Sequence, residues 1–152
     1  MILLEKATED DIFEFAKNIR AMDAEEVKVV SGKDFAEHIG YLLKNLKHVM
    51  TIRCDGVLLG IGNWYQERLD WGIYSEGVIG WMLLTNAVED HKIEFLRWSK
   101  RLVKALLEAY PSITNVLYAK NEFHFKYLRF LGARIYPDPF RKDILHFIIE
   151  RS

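Results

Sequence analysis

Few residues in this chain have the types and spacing that chemistry requires. Five histidines stand at 38, 48, 91, 124 and 146, and no two have the spacing of roughly three to five that places a pair of imidazoles on one metal, so no metal site is expected. Cys54 is the single cysteine, which excludes an intramolecular disulfide and a cysteine-based metal cluster and fits a reducing compartment. Ser31, Ser75 and Ser99 lack a Gly-x-Ser-x-Gly context, so a serine hydrolase has no support. Trp64, Tyr65, Trp71, Tyr74 and Trp81 form an aromatic concentration. Core packing accounts for most of it, and Trp64 and Trp71, in polar company, are candidates for a partner surface.

The frame that must position any such residues is small. With 152 residues, half of them hydrophobic and 28% charged, the chain reads as one domain spanning residues 1–152 that buries about 68–70% of its unfolded surface. A formal charge of −1 gives no global field for nucleic acid. The balance is uneven: residues 1–76 carry nine bases and fourteen acids, and residues 77–152 carry twelve and eight. An anionic ligand is therefore better received by the second half. Met1 to Lys6 places acid and base directly after a short apolar run, and runs such as Val78–Leu84 fall far below the roughly 20 residues that cross a bilayer. Neither export nor membrane insertion is expected.

Ile2 to Leu4 reads as a strand. Thr8, ahead of Glu9, Asp10 and Asp11, caps a first helix with Ile12, Phe13, Phe15, Ala16 and Ile19 on one face. Asp23 to Val30 is a second helix closed by Gly32, and Asp34 caps a third carrying Phe35, Ile39, Leu42, Leu43 and Leu46. Asp55-Gly56 between two apolar runs predicts a hairpin, because a tight primed turn needs positive φ. Val78 to Leu84 is apolar on both faces and predicts a central strand. A long helix comes next over His91 to Tyr110, with Ile93, Leu96, Val103, Leu106 and Leu107 inward and Lys92, Arg97, Lys100, Arg101 and Lys104 solvated. Ile113 to Tyr118, a helix from Asn121 to the Gly132 stop, and a strand from Ile144 to Ile149 complete a mixed α/β (α+β mixed-sheet) order without repeats or linkers.

That order, the opening Glu5-Lys6-Ala7-Thr8-Glu9-Asp10-Asp11 and the closing block Asn121 to Ala133 resemble the GNAT (Gcn5-related N-acetyltransferase) superfamily. A narrower likeness, carried by Asn18 to Glu26 with its Arg-x-x-Asp-x-x-Glu spacing and by Tyr110 to Ala133, is to a family of podophage proteins. That family includes the small internal virion protein of T-seven-like phages. The resemblance implies a GNAT-like acyl-CoA N-acyltransferase fold, and acetyl-CoA as the cofactor in the cleft between the fourth and fifth strands. Leu83, Leu84, Thr85, His91, Lys92 and Asn121 would be its binding residues. It also implies a phage origin, with a place in the host bacterial cytoplasm during infection or in the virion, and with phage virion proteins or a host protein as partners.

The same resemblance sets three chemical requirements. The turn that holds the cofactor's pyrophosphate in the superfamily is Gly-rich, whereas here it reads Thr85-Asn86-Ala87-Val88-Glu89-Asp90. Without glycine the backbone does not readily take positive φ, and Glu89 and Asp90 repel a phosphate. The acid that protonates the departing thiolate sits seven residues after the Asn in the superfamily, which reaches Leu128 here. Tyr127 lies one position away, rotated by about 100°, and Tyr118 is the alternative. The general base is unassigned, with Glu67, Asp70 and Glu76 in the preceding loop as candidates. The expectation is a GNAT-fold protein with degraded acetyl-transfer machinery that works through protein contacts, the alternative being an active N-acetyltransferase acting on an amine of a host or phage protein.

Overall fold

A computed structural model describes residues 1–69 and 72–152; Asp70 and Trp71, candidate base and candidate partner residue, lie outside the described residues. The strands are β1 (Ile2–Lys6), β2 (Met50–Cys54), β3 (Val57–Tyr65), β4 (Val78–Leu84), β5 (Ser112–Tyr118), β6 (Arg134–Pro137) and β7 (Ile144–Glu150). The helices are α1 (Glu9–Asn18), α2 (Ala21–Ser31), α3 (Phe35–Lys44), α4 (Lys92–Ala109) and α5 (Glu122–Phe130). Hydrogen bonding orders the mixed sheet β1-β2-β3-β4-β5-β7-β6, with β4 central. The chain divides into two compact units, Met1–Asn63 with Met82–Phe95 and Trp64–Trp81 with Leu96–Ser152.

In the first unit, local chemistry sets the helix ends. Thr8 accepts from the Asp11 amide at 3.2 Å while the Asp11 carboxylate accepts from the Thr8 amide at 2.8 Å, a reciprocal cap on α1. Gly32, at φ 74°, stops α2, and Asp34 caps α3 by accepting from the Glu37 amide at 2.8 Å. Asp55 and Gly56 both take positive φ, 48° and 86°, and join β2 to β3 as the sequence predicts. Ile12 and Phe15 are fully buried, but Phe13 is 47% exposed. One residue along a helix turns the side chain by about 100°, so Phe13 leaves the face that Ile12, Phe15 and Ile19 share.

The second unit packs Val78, Leu106, Ile113, Leu117, Leu128, Ala133, Phe147 and Ile149 into one core. Trp64 packs against this core, so its indole is a packing element as well as a surface one. β7 runs antiparallel to β5 along seven residue pairs, from Ser112 opposite Glu150 to Tyr118 opposite Ile144. β6 then pairs with β7 at the sheet edge. The sequence does not announce β6, because it is four residues long, ends in Pro137 and is mostly exposed, leaving no alternation to read.

α4 starts one residue later than expected, and the expected loop before it is itself helical: Asn86–His91 forms a 3-10 turn. Ile93, expected inward, is 69% exposed, since it shares its face with Arg97 and Lys100, four and seven residues on.

Two glycines separate packing from propensity. A Cβ on Gly60 would lie 2.5 Å from the Leu83 carbonyl oxygen, whereas one on Gly40, inside α3, meets nothing within 4 Å. Gly60→Ala is expected to lower unfolding stability by about 1–3 kcal/mol and Gly40→Ala to raise it by about 0.5–1 kcal/mol, both read from urea midpoints.

Candidate functional site

The cofactor expectation falls on the C-terminal end of β4 and the turn after it. Leu83, Leu84 and Thr85 are all buried. Thr85 is fixed to β3: its amide donates to the Leu59 carbonyl at 2.8 Å, and its hydroxyl donates to the Leu58 carbonyl at 2.7 Å. Successive residues of a strand direct their backbone groups to opposite edges, so the amide and carbonyl of Leu84 face away from β3.

That edge is taken by the chain itself. The Leu84 amide donates to Asp23 Oδ2 at 2.7 Å, the Arg20 amide donates to the Leu84 carbonyl at 3.0 Å, and Ile19 bridges Thr85 in antiparallel register. Asp23 has no exposed surface, and its Oδ1 accepts from Arg20 Nη1 at 3.0 Å. The connection between α1 and α2 therefore caps the end of β4 as a fragment of strand anchored by a buried ion pair. Sequence reasoning held Arg20 and Asp23 only as part of a family likeness; their Arg-x-x-Asp spacing, one helical turn, is the signal that they pair.

The turn itself offers no anion cradle. Among the described residues, positive φ occurs at Asp55, Gly32, Gly56, Gly72 and Gly132 and nowhere between 85 and 92, so the left-handed geometry that lets consecutive amides converge on a phosphate is absent there. The 3-10 turn runs straight into α4, so the helical run begins at Asn86 rather than at Lys92. Glu89 and Asp90 are exposed, and Glu89 lies 3.8 Å from Lys92 Nζ. His91 closes the 3-10 turn and is half-buried. Leu83 and Leu84 thus end β4 and Thr85 follows them, with His91 closing the 3-10 turn and Lys92 opening α4, and the residues present do not fit a nucleotide diphosphate.

In the second unit, β4 and β5 run parallel for two residue pairs, Val78 with Ile113 and Ile79 with Thr114. Beyond them the Asn115 side chain takes over, donating from Nδ2 to the Gly80 carbonyl at 3.0 Å and accepting from the Val116 amide at 2.8 Å. Asn121 is fully buried and caps α5, accepting from the His124 amide at 3.4 Å. Leu128, the position where the superfamily places its acid, is packed in the core.

Tyr127 is half-buried, stacks on Phe123 at 6.3 Å and donates its hydroxyl proton to Ser99 Oγ at 2.7 Å. Burial pushes its phenol well above the usual tyrosine range, against the opposing pull of Ser99. A phenol so weakened as an acid and engaged with a buried serine suits packing better than proton donation. Tyr118 is buried at the end of β5 opposite Ile144. Glu67 is exposed, with its backbone tied to Ser75, and Glu76 is exposed as well. Within the first unit, ligand atoms of Cys54, Asp55 and Glu94 lie within 4.8 Å of one another. The buried Cys54 thiol donates to Glu94 at 3.2 Å, and burial raises its pKa, which keeps it a thiol rather than a thiolate ligand.

The Tyr127 shift has a definite sign. Unfolded, the phenol loses its proton near pH 10.0; folded, it keeps it. The folded state therefore holds the extra proton above that pH, and its contribution to stability is full below it and declines as pH rises through it. Tyr127→Phe is expected to remove this share of the alkaline loss, visible as a flatter dependence of the urea midpoint between about pH 9 and 11.

Three solved acetyltransferases are similar to the chain in fold. A GNAT-family acetyltransferase from Bacillus anthracis superposes with a TM-score of 0.70 at 12% identity, covering 98% of this chain and 94% of that one. An acetyltransferase from Thermus thermophilus gives 0.68 at 14%, covering 99% and 97%. The PaiA N-acetyltransferase from Thermoplasma acidophilum, solved with coenzyme A, gives 0.61 at 12%, covering 99% of each chain. Identities this low establish the fold alone. Among curated proteins none matches the sequence significantly. The family described as "Bacteriophage T7, probable scaffold protein Gp13" matches residues 48–139, more than half the chain. The chain has a GNAT acetyltransferase fold, and on the family match it belongs to the bacteriophage T7 Gp13 family.

Proposed function

We propose that this protein is a phage GNAT-fold protein that has lost acetyl transfer and acts through protein contacts in virion assembly or infection. In this reading it resides in the host bacterial cytoplasm during infection or is taken into the virion, with phage virion proteins or a host protein as partners. The carrying observation is the buried Asp23 carboxylate bonded to the Leu84 amide. An edge closed by a buried charge is not free to receive a ligand in extended form. The glycine-free 3-10 turn and the leucine at position 128 point the same way. The family description, a scaffold protein, supports a role carried by surfaces rather than by turnover.

The second reading is an acetyl-CoA-dependent N-acetyltransferase modifying an amine on a host or phage protein. The coenzyme A held by a fold neighbour favours it. It requires an anion cradle built from residues 85–92, with Tyr127 or Tyr118 as the acid. Calorimetric titration with acetyl-CoA, paired with a thiol-release assay on candidate amines, separates the two. The proposal predicts no saturable heat up to about 1 mM, where a micromolar site would contribute about 8 kcal/mol of binding free energy, and no thiol release. Micromolar binding with turnover that Tyr127→Phe or Tyr118→Phe slows tenfold or more would establish the enzyme instead.

A further inference from the structure

Residues 65–69 and 72–75 form a hydrogen-bonded arm on the second unit. The Ser75 amide donates to the Glu67 carbonyl at 2.8 Å, the Glu67 amide to Ser75 Oγ at 3.0 Å, and Gln66 Nε2 to the Ser75 carbonyl at 2.9 Å. Further out, Arg68 bridges Tyr74 in antiparallel register. This braced arm presents four large apolar side chains to solvent: Tyr65 at 51%, Leu69 at 46%, Ile73 at 60% and Tyr74 at 58% exposed. The exposed charges on and beside it are mainly acidic, Glu67 and Glu76 against Arg68. Apolar side chains clustered on a braced loop, with a charged rim, are the composition of a docking element.

The same unit carries a surface of opposite character. An open groove of about 590 Å³ is lined by the half-buried Val103 and Leu107 and by the exposed Lys100, Lys104, Arg151 and Glu108. Glu150 lines it too but is paired with Arg134. Arg151 is steadied by donating from Nε to the Leu107 carbonyl at 2.6 Å. Arg97, Lys100, Arg101 and Lys104 recur along one exposed stripe of α4, and among the described residues no acid neutralises them by an ion pair. Lys100 lies 4.5 Å over the Phe130 ring.

We infer that the acidic, apolar arm of one copy docks into the basic, partly apolar groove of a second copy. The two surfaces are complementary on both counts: exposed Ile73 and Tyr74 against Val103 and Leu107, and Glu67 and Glu76 against Lys100, Lys104 and Arg151. Arm and groove are different surfaces of one chain, so the contact either closes reciprocally in a two-fold dimer or repeats head to tail, forming a ring or an open array. An element this small buries less than the roughly 1,200–2,000 Å² of a stable interface, so association is weak, concentration-dependent and weakened by salt. This self-contact goes beyond the proposed role and does not depend on the loss of acetyl transfer.

Sedimentation velocity on the full chain tests it with two variants at exposed positions. Ile73→Glu/Tyr74→Glu disables the arm, and Lys100→Glu/Lys104→Glu disables the groove. The wild type is expected to gain mass with concentration in 50 mM salt and to lose that gain in 500 mM salt, while each variant alone stays monomeric with an unchanged circular dichroism spectrum. Mixed together, the two variants retain one intact arm and one intact groove and should form a one-to-one dimer that grows no further. A wild type monomeric at several hundred micromolar in low salt would overturn the inference. Variants that associate like the wild type would do the same, as would a mixture that fails to pair, which is the outcome for arm-to-arm contact or a foreign occupant.

Discussion

A carboxylate with no exposed surface holds the end of β4. Asp23 accepts from the Leu84 amide and from Arg20, and a buried charge of this kind persists only when every partner is in place. Removing one member of such a pair costs on the order of 3–5 kcal/mol because the other is left uncompensated. The arrangement ties the α1–α2 connection to the central strand and leaves Thr85 to complete the bonding toward β3. It also occupies the backbone groups of β4 that a ligand lying alongside the strand would need.

The turn after β4 compounds the effect. A glycine-rich turn lets several amides converge on an anion, whereas no residue of this 3-10 turn takes the positive φ that such convergence uses. Glu89 and Asp90 add two negative charges where a diphosphate would bring two more. Lys92, within 3.8 Å of Glu89, offsets only one of them. In the proposed reading, a GNAT acetyltransferase fold is combined with a β4 end that the chain itself closes through Asp23 and Arg20. Fold and activity are separable in this way because a fold is set by its core, and a site by a handful of side chains.

The parts of this structure legible in the sequence are those decided by neighbours in the chain. Thr8 with Asp11, Gly32, Asp34, Asp55-Gly56 and Asn121 all fix a cap or turn within three or four residues, and all are where local chemistry puts them. The fold followed from their order. β6 was not legible, because an exposed four-residue edge strand has no pattern to reveal. Nor was the helical character of Asn86–His91, a segment that buries Val88 and follows a Thr85 held by β3. That the turn after β4 holds no glycine is plain in the sequence, but its helical form is not. Asp23 and Leu84 are 61 residues apart, and Tyr127 and Ser99 are 28 apart; contacts that distant are products of tertiary packing and leave no local trace.

The most direct test of a closed strand end is a nitrogen–proton correlation spectrum of the full chain, titrated with coenzyme A and followed at the amides of residues 82–92. A strand edge occupied by Asp23 and a turn without a cradle predict that these resonances stay in place up to millimolar ligand, with the Leu84 amide among the slowest to exchange with solvent. Saturable shifts at Leu84 to Lys92 with micromolar affinity, accompanied by faster exchange at Leu84 as Asp23 is displaced, would contradict the account.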